Sequence, residues 1–356
     1  MAIVTILGAG RMGTAITWPL RDNGHQVRLV GTHLDAEIIR SCLDARYHSG
    51  LRRRIPDGVQ PFYLEQLGEA LTGADAIVSG VNSLGVHWIG RTLAPLLWPG
   101  ASVLSLTKGL EAGDDGVLRI LPDVLAGELP ADLRSQVTAA AVAGPVLAYE
   151  LSGRRISATV FTGTDEAELR RLRGIFHNDY YRVWLSTDPV GVEVFAALKN
   201  AYTIGIGSAR GMLEAAGGPD EINAAMHNTA ALLFAAAARE LSQIVALMGG
   251  RAEGFIGLQG AGDLYVTCTG GRTFRLGWLM GKGLTYSQAQ AEMREDTLEG
   301  AFAVLQMART LPVWEAEGRI GADDLPMLRA IIRAIVTDTP LALPWDDLMG
   351  VGKVMV

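Results

Sequence analysis

Cysteine is scarce in this chain of 356 residues, which contains only Cys42 and Cys268. Two cysteines so far apart form neither a disulfide framework nor the ligand spacing of a metal site. The six histidines are scattered as well, so we expect no bound metal. Basic residues are outnumbered by acidic ones, 31 to 38, so the formal net charge is −7. This balance argues against a surface for nucleic acid or anionic membranes, and any anionic substrate must meet a local group of Lys and Arg.

Long apolar runs without a charge are missing too. Glu193 and Lys199 interrupt one candidate membrane span, and Arg239 and Glu240 interrupt the other. Residues 1–7 lack the basic lead and the longer apolar core of a signal peptide. With 49% hydrophobic and 19% charged residues, the chain has the composition of a folded α/β enzyme of about two domains. We therefore expect a cytoplasmic enzyme without stable membrane insertion.

A glycine-rich turn follows the first apolar segment. Residues 2–7 predict a buried strand, Gly8, Gly10 and Gly13 come next, and helical spacing continues over residues 14–22. This is the dinucleotide fingerprint in its required setting, between a strand and a helix. In that setting the glycines permit a tight turn, close approach of the pyrophosphate and close helix–strand packing. The sequence therefore predicts a dinucleotide-binding site.

The second predicted strand, residues 26–30, does not end in the acid that grips the ribose hydroxyls of NAD. Thr32 and His33 follow it, and the nearest acid is Asp35. This leaves room for a 2′-phosphate, with Thr32 as a donor and His33 as a partial cation. The alternative is that both residues only start the next helix. The pattern favours NADP over NAD.

Strands and helices continue to alternate, which predicts right-handed βαβ units, a parallel sheet and a doubly wound Rossmann-type domain. The expected strands are residues 74–81, 101–106, 137–142, 156–161 and 180–185, and the expected helices are 86–97, 117–125 and 166–175. Ligands bind beyond the carboxyl ends of such strands, where Asn82, Ser83, Lys108 and Pro145 stand. The basic segment 45–61 predicts a solvated, irregular loop.

From Gly191 onward helical spacing dominates, so the domains are predicted as 1–188, Rossmann-type, and 189–356, all-helical. The expected helices are 191–208, 222–248, 288–293, 302–311 and 325–336. Lys199 stands in an apolar segment, and a buried lysine must be paired structurally or held for chemistry. In the glycine-rich segment 260–273, Asp263 can hold its ammonium group and Arg272 can bind a phosphate. Cys268 is interpreted as a small packed residue.

Six motifs in order resemble the NAD(P)-dependent glycerol-3-phosphate dehydrogenase family, over essentially the whole chain. They are the cofactor loop at 8–15, the lysine motif at 106–111, the Gly-Pro motif at 144–150, the Lys-Asn motif at 198–200, the substrate loop at 262–272 and the signature at 299–300. The resemblance implies reversible hydride transfer between NAD or NADP and the secondary carbon of glycerol 3-phosphate. It also implies a homodimer that acts on a small phosphorylated substrate.

The resemblance implies roles for individual residues. Lys199 is expected to be the general acid/base, with Lys108 and Asp263 as the other catalytic residues. The expected cofactor-binding residues are Gly8, Gly10, Arg11, Met12, Gly13, Thr32, His33, Asn82, Ala148, Arg272 and Glu299. The expected substrate-binding residues are Lys108, Gly144, Asn200, Thr267, Arg272 and Thr273.

Two departures from the family pattern concern the substrate. Thr273 stands where the family commonly has Asn, and Ala230 and Ala236 lie where the family usually carries basic residues. A dehydrogenase of another phosphorylated or carboxylated polyol is therefore the alternative function. A cofactor-binding sensor without turnover is a third, against which the retained Lys108, Lys199 and Asp263 speak.

Overall fold

The computed structural model describes residues 1–293 and 298–349 of the chain. The chain folds into two compact units, the first formed by Met1–Lys108 and Ile120–Val192, the second by Gly109–Arg119 and Glu193–Val356. The predicted division at residue 188 placed residues 109–119 in the first domain, whereas in the structure they belong to the second unit. The end of the predicted second domain, residues 350–356, lies outside the described residues.

The strands, numbered in chain order, are β1 (Ile3–Leu7), β2 (Gln26–Val30), β3 (Tyr47–His48), β4 (Arg53–Arg54), β5 (Val59–Phe62), β6 (Ala76–Ser79), β7 (Ser102–Ser105), β8 (Leu110–Ala112), β9 (Leu118–Ile120), β10 (Thr138–Ala143), β11 (Ser157–Thr162) and β12 (Tyr181–Ser186). Eight of them form one sheet in the order β12-β11-β10-β7-β6-β1-β2-β5, while β3–β4 and β8–β9 form two-stranded pairs.

The helices are α1 (Arg11–Ala15), α2 (Thr17–Asp22), α3 (Ala36–Ala45), α4 (Leu67–Leu71), α5 (Val86–Leu93), α6 (Leu121–Gly127), α7 (Ala131–Arg134), α8 (Ala148–Ser152), α9 (Glu166–Phe176), α10 (Pro189–Ala215), α11 (His227–Leu247), α12 (Asp263–Cys268), α13 (Arg272–Gly281), α14 (Tyr286–Met293), α15 (Glu299–Ala316), α16 (Pro326–Val336) and α17 (Trp345–Met349).

The large sheet is doubly wound around β1. Parallel pairing places Leu7 beside Val30 of β2 and beside Ser79 of β6, so the carboxyl ends of these strands meet at one edge. The order of the strands reverses at β1, and this is where ligands bind in open α/β sheets. The prediction of a wholly parallel sheet is wrong at one place, because β10 and β11 pair antiparallel.

Both faces of the sheet are buried, as expected for strands that are covered by crossover helices. Along β1, Val4 and Ile6 belong to one apolar cluster, and Leu7 belongs to the cluster on the opposite face. Successive side chains of a strand point to opposite faces, which explains the alternation. The Rossmann-type class predicted from sequence is confirmed.

Three local predictions are corrected by the structure. The segment 45–61 is not an irregular loop throughout, since it contains β3, β4 and the start of β5. β5 is an edge strand of the sheet. Pro61, which has no N–H donor, is tolerated there because it removes no hydrogen bond from the interior of the sheet. The predicted helix 117–125 begins instead as β9, followed by α6. The predicted helix 222–248 begins at His227, because the Asp220 carboxylate accepts hydrogen bonds from the backbone of Ile222 and Ala224 and holds a turn there.

In the second unit, residues from Glu193 onward are helical in the described part of the chain, as expected, and the β8–β9 pair joins them. Gln306 of α15 anchors this pair, because its Oε1 accepts a hydrogen bond of 2.9 Å from the backbone of Ala112. The helix His227–Leu247 has the length and mean hydropathy of a membrane span. This is weak evidence for one, because a core helix can have the same composition, and its Glu240 lies buried among partners within this unit.

Helices α10 and α13 of the second unit approach each other to backbone contact. A Cβ on Gly277 or Gly281 of α13 would overlap the backbone of Ile204 or Ser208, and a Cβ on Gly211 would overlap the backbone of α13 in return. Glycines four residues apart lie on the same side of a helix, so they form a flat surface there. This crossing fixes the position of Arg272 and Thr273, at the start of α13, relative to Lys199 and Asn200 on α10.

Candidate active site

The glycine-rich turn lies at the carboxyl end of β1. Gly8 has a φ of +118°, and a Cβ there would come within 2.7 Å of the backbone of Gly80. A Cβ on Gly13 would overlap the carbonyl group of Gly8. Gly10 is the N-terminal cap of α1, whose first turn contains Arg11 and Met12. The turn therefore has the tight geometry that lets a dinucleotide approach the backbone, and Gly80 is a required neighbour that the sequence did not reveal.

The peptide of Ala9, inside this turn, is held from both sides. Its N–H donates to Oδ2 of Asp35 at 3.1 Å, and its carbonyl oxygen accepts from Nε2 of His48 at 2.8 Å. Nδ1 of His48 accepts from the backbone N–H of Leu51, so Nε2 is the nitrogen that carries the proton. His48 is buried, with 1% of its surface exposed. Asp35 and His48 therefore position the cofactor turn, and local sequence patterns gave no signal for either role.

Thr32 and His33 follow β2, but the structure gives both side chains protein partners. The Thr32 hydroxyl donates to Asp35 at 2.8 Å and accepts from the N–H of Leu34 at 3.2 Å. The exposed ring of His33 packs edge-on against Trp88, with 5.1 Å between ring centroids. Donation from Thr32 to a 2′-phosphate stays a prediction, and it requires that hydroxyl to turn from Asp35.

Other predicted residues of the first unit lie at the carboxyl ends of neighbouring strands. The Nζ of Lys108, after β7, donates to the carbonyl oxygen of Gly144, after β10, at 3.0 Å. Gly144 has a φ of +124°, which a glycine adopts without strain. Asn82 follows β6 and accepts from the N–H of Gly85, while Ala148 is the first residue of α8. The structure thus brings Lys108 and Gly144 into direct contact.

Lys199 and Asp263 form a buried ion pair in the second unit. The Nζ of Lys199 donates directly to Oδ1 of Asp263, and the two residues are 6% and 1% exposed. Asp263 begins α12, directly after a π-helical turn at Leu258–Gly262. π-Helical turns are frequent at functional sites because they displace a side chain from the regular helix. The contact between these two residues, 64 positions apart, was predicted from the sequence and is present.

The ion pair can perform acid–base chemistry. A carboxylate in contact compensates the ammonium group of a buried lysine and favours its charged form, which can donate a proton. Thr267 donates its hydroxyl to the carbonyl oxygen of Asp263 at 2.7 Å, and Thr203 donates to that of Lys199 at 2.8 Å. Burial raises the pKa of the nearby Cys268 thiol to about 11, so this thiol is not a nucleophile at neutral pH.

Four further predicted residues, Asn200, Arg272, Thr273 and Glu299, lie close to one another in the second unit. Arg272 lies at the start of α13 and approaches Glu299, at the start of α15, with 3.9 Å between Nη2 and Oε1. Next to them, a Cβ on Gly300 would lie 2.6 Å from Cγ2 of Thr273 and 2.9 Å from the carbonyl oxygen of Asn200. Arg272 is about half exposed and can bind an anion, whereas Thr273 is buried.

The predicted site residues therefore divide between the units. The first unit holds the dinucleotide turn, Lys108 and Gly144, and the second holds the acid–base pair with its neighbouring arginine. The chain combines a doubly wound sheet, a glycine-rich turn after the first strand and a buried lysine–carboxylate pair. This combination defines the class of nicotinamide-dependent dehydrogenases.

Comparison with known proteins narrows this class. The N-terminal domain described as NAD-dependent glycerol-3-phosphate dehydrogenase N-terminus matches residues 3–169, and the corresponding C-terminus matches residues 188–342. The chain is 36% identical over 291 residues to the NADP(+)-dependent glycerol-3-phosphate dehydrogenase of Archaeoglobus fulgidus, covering 82% of this chain and 83% of the relative. It is 30% identical over 352 residues to a glycerol-3-phosphate dehydrogenase [NAD(P)+] of Azotobacter vinelandii, covering 97% and 94%.

A solved structure gives the same result. The crystal structure of glycerol-3-phosphate dehydrogenase from Coxiella burnetii superposes with a TM-score of 0.79 at 25% identity, covering 99% of both chains. The chain belongs to the NAD-dependent glycerol-3-phosphate dehydrogenase family, which confirms the resemblance. The family uses NAD or NADP, and this chain is accordingly an NAD(P)-dependent oxidoreductase.

Proposed function

We propose that the protein catalyses reversible hydride transfer between NAD(P)H and dihydroxyacetone phosphate, giving sn-glycerol 3-phosphate. The observation that carries this proposal is the buried Lys199–Asp263 pair in a chain with a dinucleotide turn. Reduction of a carbonyl group needs a proton for the forming alkoxide, and a lysine held charged by a carboxylate supplies it. The named relatives act on glycerol 3-phosphate, which supports the choice of substrate.

In this mechanism the residues of the chain bind, orient and protonate the substrate. The dinucleotide, when bound, supplies or accepts the hydride. Lys199 gives the proton from Nζ to the substrate oxygen as the carbonyl carbon gains the hydride, and in the reverse direction neutral Lys199 takes that proton back. Asp263 holds Lys199 in place throughout. Arg272 binds a phosphate of the substrate or cofactor, and Lys108 adds positive charge at the carbonyl oxygen or the phosphate of the substrate.

We propose that the protein prefers NADP to NAD as its cofactor. β2 ends without the acid that would hold the ribose hydroxyls of NAD, and the relative that is 36% identical is named as NADP(+)-dependent. Asp35 is nearby, but its Oδ2 already accepts from the backbone of Ala9 and Thr32 and from the Thr32 hydroxyl. This oxygen of Asp35 is therefore engaged in holding the turn.

The test is to incubate the purified protein with NADPH and dihydroxyacetone phosphate and to follow nicotinamide absorbance. Oxidation of NADPH that depends on the keto-phosphate is the expected result. Turnover only with a different polyol phosphate would support the alternative dehydrogenase. Binding of NADPH without turnover of any keto-phosphate would support the sensor and contradict the proposal.

One observation favours the alternative substrate, another polyol phosphate. Thr273 replaces the family's usual asparagine, and its methyl group packs towards Gly300, so an amide donor is missing at this position. Catalytic efficiencies for three-, four- and five-carbon keto-phosphates measure the consequence. A clear preference for a longer chain would replace dihydroxyacetone phosphate as the substrate and leave the acid–base mechanism unchanged.

The quaternary structure and the compartment are also part of the proposal. A homodimer is implied by the family resemblance, and the cytoplasm is the compartment expected from the sequence. Light scattering during size-exclusion chromatography measures the mass in solution, and a single species at twice 37.9 kDa is the expected result.

A further inference from the structure

An open cleft in the first unit is lined by Arg11, which the family resemblance implies for cofactor binding, and by two arginines to which no role has been assigned. It has a volume of about 700 Å³, and its lining includes Arg11, Arg52, Arg53 and Tyr149. Arg11 belongs to the first turn of α1, directly after the glycine-rich turn. The cleft therefore adjoins the dinucleotide turn.

In the described part of the chain, no carboxylate neutralises the positive charge of this cleft. Within residues 1–293 and 298–349, the guanidinium groups of Arg11, Arg52 and Arg53 have no carboxylate within 4.0 Å. Other surface arginines of the same unit do, as Arg154 pairs with Asp22 and Arg171 with Glu168. In a chain of net charge −7, three uncompensated cations around one cleft create a local positive potential that attracts anions.

The cleft is also held in shape. His48 ties the arginine-bearing loop to the carbonyl oxygen of Ala9, at 2.8 Å. On the other side, the Tyr149 hydroxyl donates to the carbonyl oxygen of Gly50 at 3.3 Å, and the Arg11 guanidinium lies 5.6 Å from the centre of the Tyr149 ring. The loop is thus attached at two points to the elements that surround the dinucleotide turn.

Backbone strain marks the same loop. Arg52 has a φ of +52°, in the left-handed region that is strained for a residue with a side chain. Its N–H donates to the carbonyl oxygen of Ser49, which closes the turn. Such strain persists where the surrounding structure enforces it, and it concentrates at ligand-binding sites.

We propose that Arg11, Arg52 and Arg53 form a subsite for a phosphate monoester beside the dinucleotide turn. Guanidinium groups bind phosphate through paired, charge-assisted hydrogen bonds, and three of them match a dianion. The inference rests on the proposed function, which supplies two candidate phosphate monoesters. They are the 2′-phosphate of NADPH and the phosphate of the triose substrate.

The test compares Arg52→Ala and Arg53→Ala with Arg54→Ala, the neighbouring exposed arginine that does not line the cleft. Dissociation constants for NADPH and NADH are measured by fluorescence titration, and KM is measured for dihydroxyacetone phosphate. Each cleft variant should weaken one ligand about ten- to a hundredfold, the range of a charge-assisted hydrogen bond. Arg54→Ala should change none of these constants by more than about twofold, and Arg53→Lys should retain part of the affinity.

The pattern of losses identifies the phosphate. A loss for NADPH without a loss for NADH assigns the 2′-phosphate, and a rise confined to the KM for dihydroxyacetone phosphate assigns the substrate. Equal losses for NADPH and NADH would place the pyrophosphate there and overturn the monoester assignment. Constants indistinguishable from those of Arg54→Ala would overturn the subsite. Wild-type turnover is measured separately, so failure of the proposed function is distinguished from failure of the subsite.

Discussion

The hydroxyl group of Thr32 donates a hydrogen bond to the carboxylate of Asp35 across 2.8 Å. The same carboxylate oxygen accepts from the N–H groups of Thr32 and Ala9, so one side chain links the end of β2 to the dinucleotide turn after β1. Asp35 is therefore a positioning residue for the cofactor turn.

Asp35→Ala tests this link. Three donors lose their acceptor, and an unsatisfied buried donor costs about 1–3 kcal/mol. We expect a lower free energy of unfolding and a higher KM for NADPH and NADH alike, with kcat nearly unchanged. Asp44→Ala, at an exposed position of α3, is the matched control. An unchanged KM for both cofactors would show that the turn keeps its shape without Asp35.

Lys199→Ala removes the proposed proton donor. Turnover should fall about 10²–10⁴-fold, the contribution of a positioned acid, while the dissociation constant for NADPH stays nearly the same. Steady-state kinetics with a cofactor titration separates the two effects. Lys282→Ala, which removes a more exposed lysine of the same unit, should retain turnover. Turnover of Lys199→Ala at the level of Lys282→Ala would remove Lys199 from the mechanism.

Arg272→Ala removes the arginine at the start of α13. The expected loss is about ten- to a hundredfold in KM for the substrate or the cofactor, as for one charge-assisted hydrogen bond to phosphate. Arg275→Ala, one turn further along the same exposed surface, controls for general loss of charge. If both variants weaken saturation equally, the recognition is a diffuse effect of charge and does not belong to Arg272.

Gly277→Ala tests the crossing of α10 and α13. The added methyl group would overlap the carbonyl group of Ile204, and overpacking of this kind costs about 1–3 kcal/mol. We expect a lower Tm and, because α13 carries Arg272, a lower kcat/KM. Gly174→Ala is the control, since Gly174 lies in helix α9 with open space around it and the substitution there favours the helix. A Tm for Gly277→Ala equal to that of wild type would show that the helices separate without cost.

Glu240 makes stability depend on pH. Burial raises the pKa of its carboxyl, although the N–H groups of Met327 and Leu328 and the Tyr202 hydroxyl bond to it and oppose the shift. A raised pKa in the folded state means that folding favours the protonated form, so this contribution is fully present below the ordinary value of 4.5 and is lost as pH rises through the folded pKa.

To test this, the Tm of wild type is compared with that of Glu240→Gln over a range of pH, because glutamine does not titrate. The Tm of wild type minus that of Glu240→Gln should be largest in acid and should decrease towards neutral pH. A difference that stays constant or grows with pH would contradict the raised pKa.

Local sequence patterns determined the class of the first unit and much of the chemistry. β2 was predicted with the bounds that the structure shows, because its polar and apolar residues alternate as in a strand and turn residues flank it. The pairing of Lys199 with Asp263 was also predictable, since a lysine in an apolar helix requires a compensating charge and the glycine-rich segment contains one.

Apart from the Lys199–Asp263 pair, the contacts between distant residues were decided by the tertiary structure. β9 forms because Leu118–Ile120 pairs with Leu110–Ala112, although its own residues also suit a helix. Asp35 and His48 meet Ala9 from 26 and 39 positions away. Periodicity reports which face of an element is buried, and it does not report which polar groups will meet once the elements pack. The sequence therefore predicted the cofactor turn and Arg11 within it. The side chains that hold the turn, and the cleft that Arg11 forms with Arg52 and Arg53, appeared only in the tertiary structure.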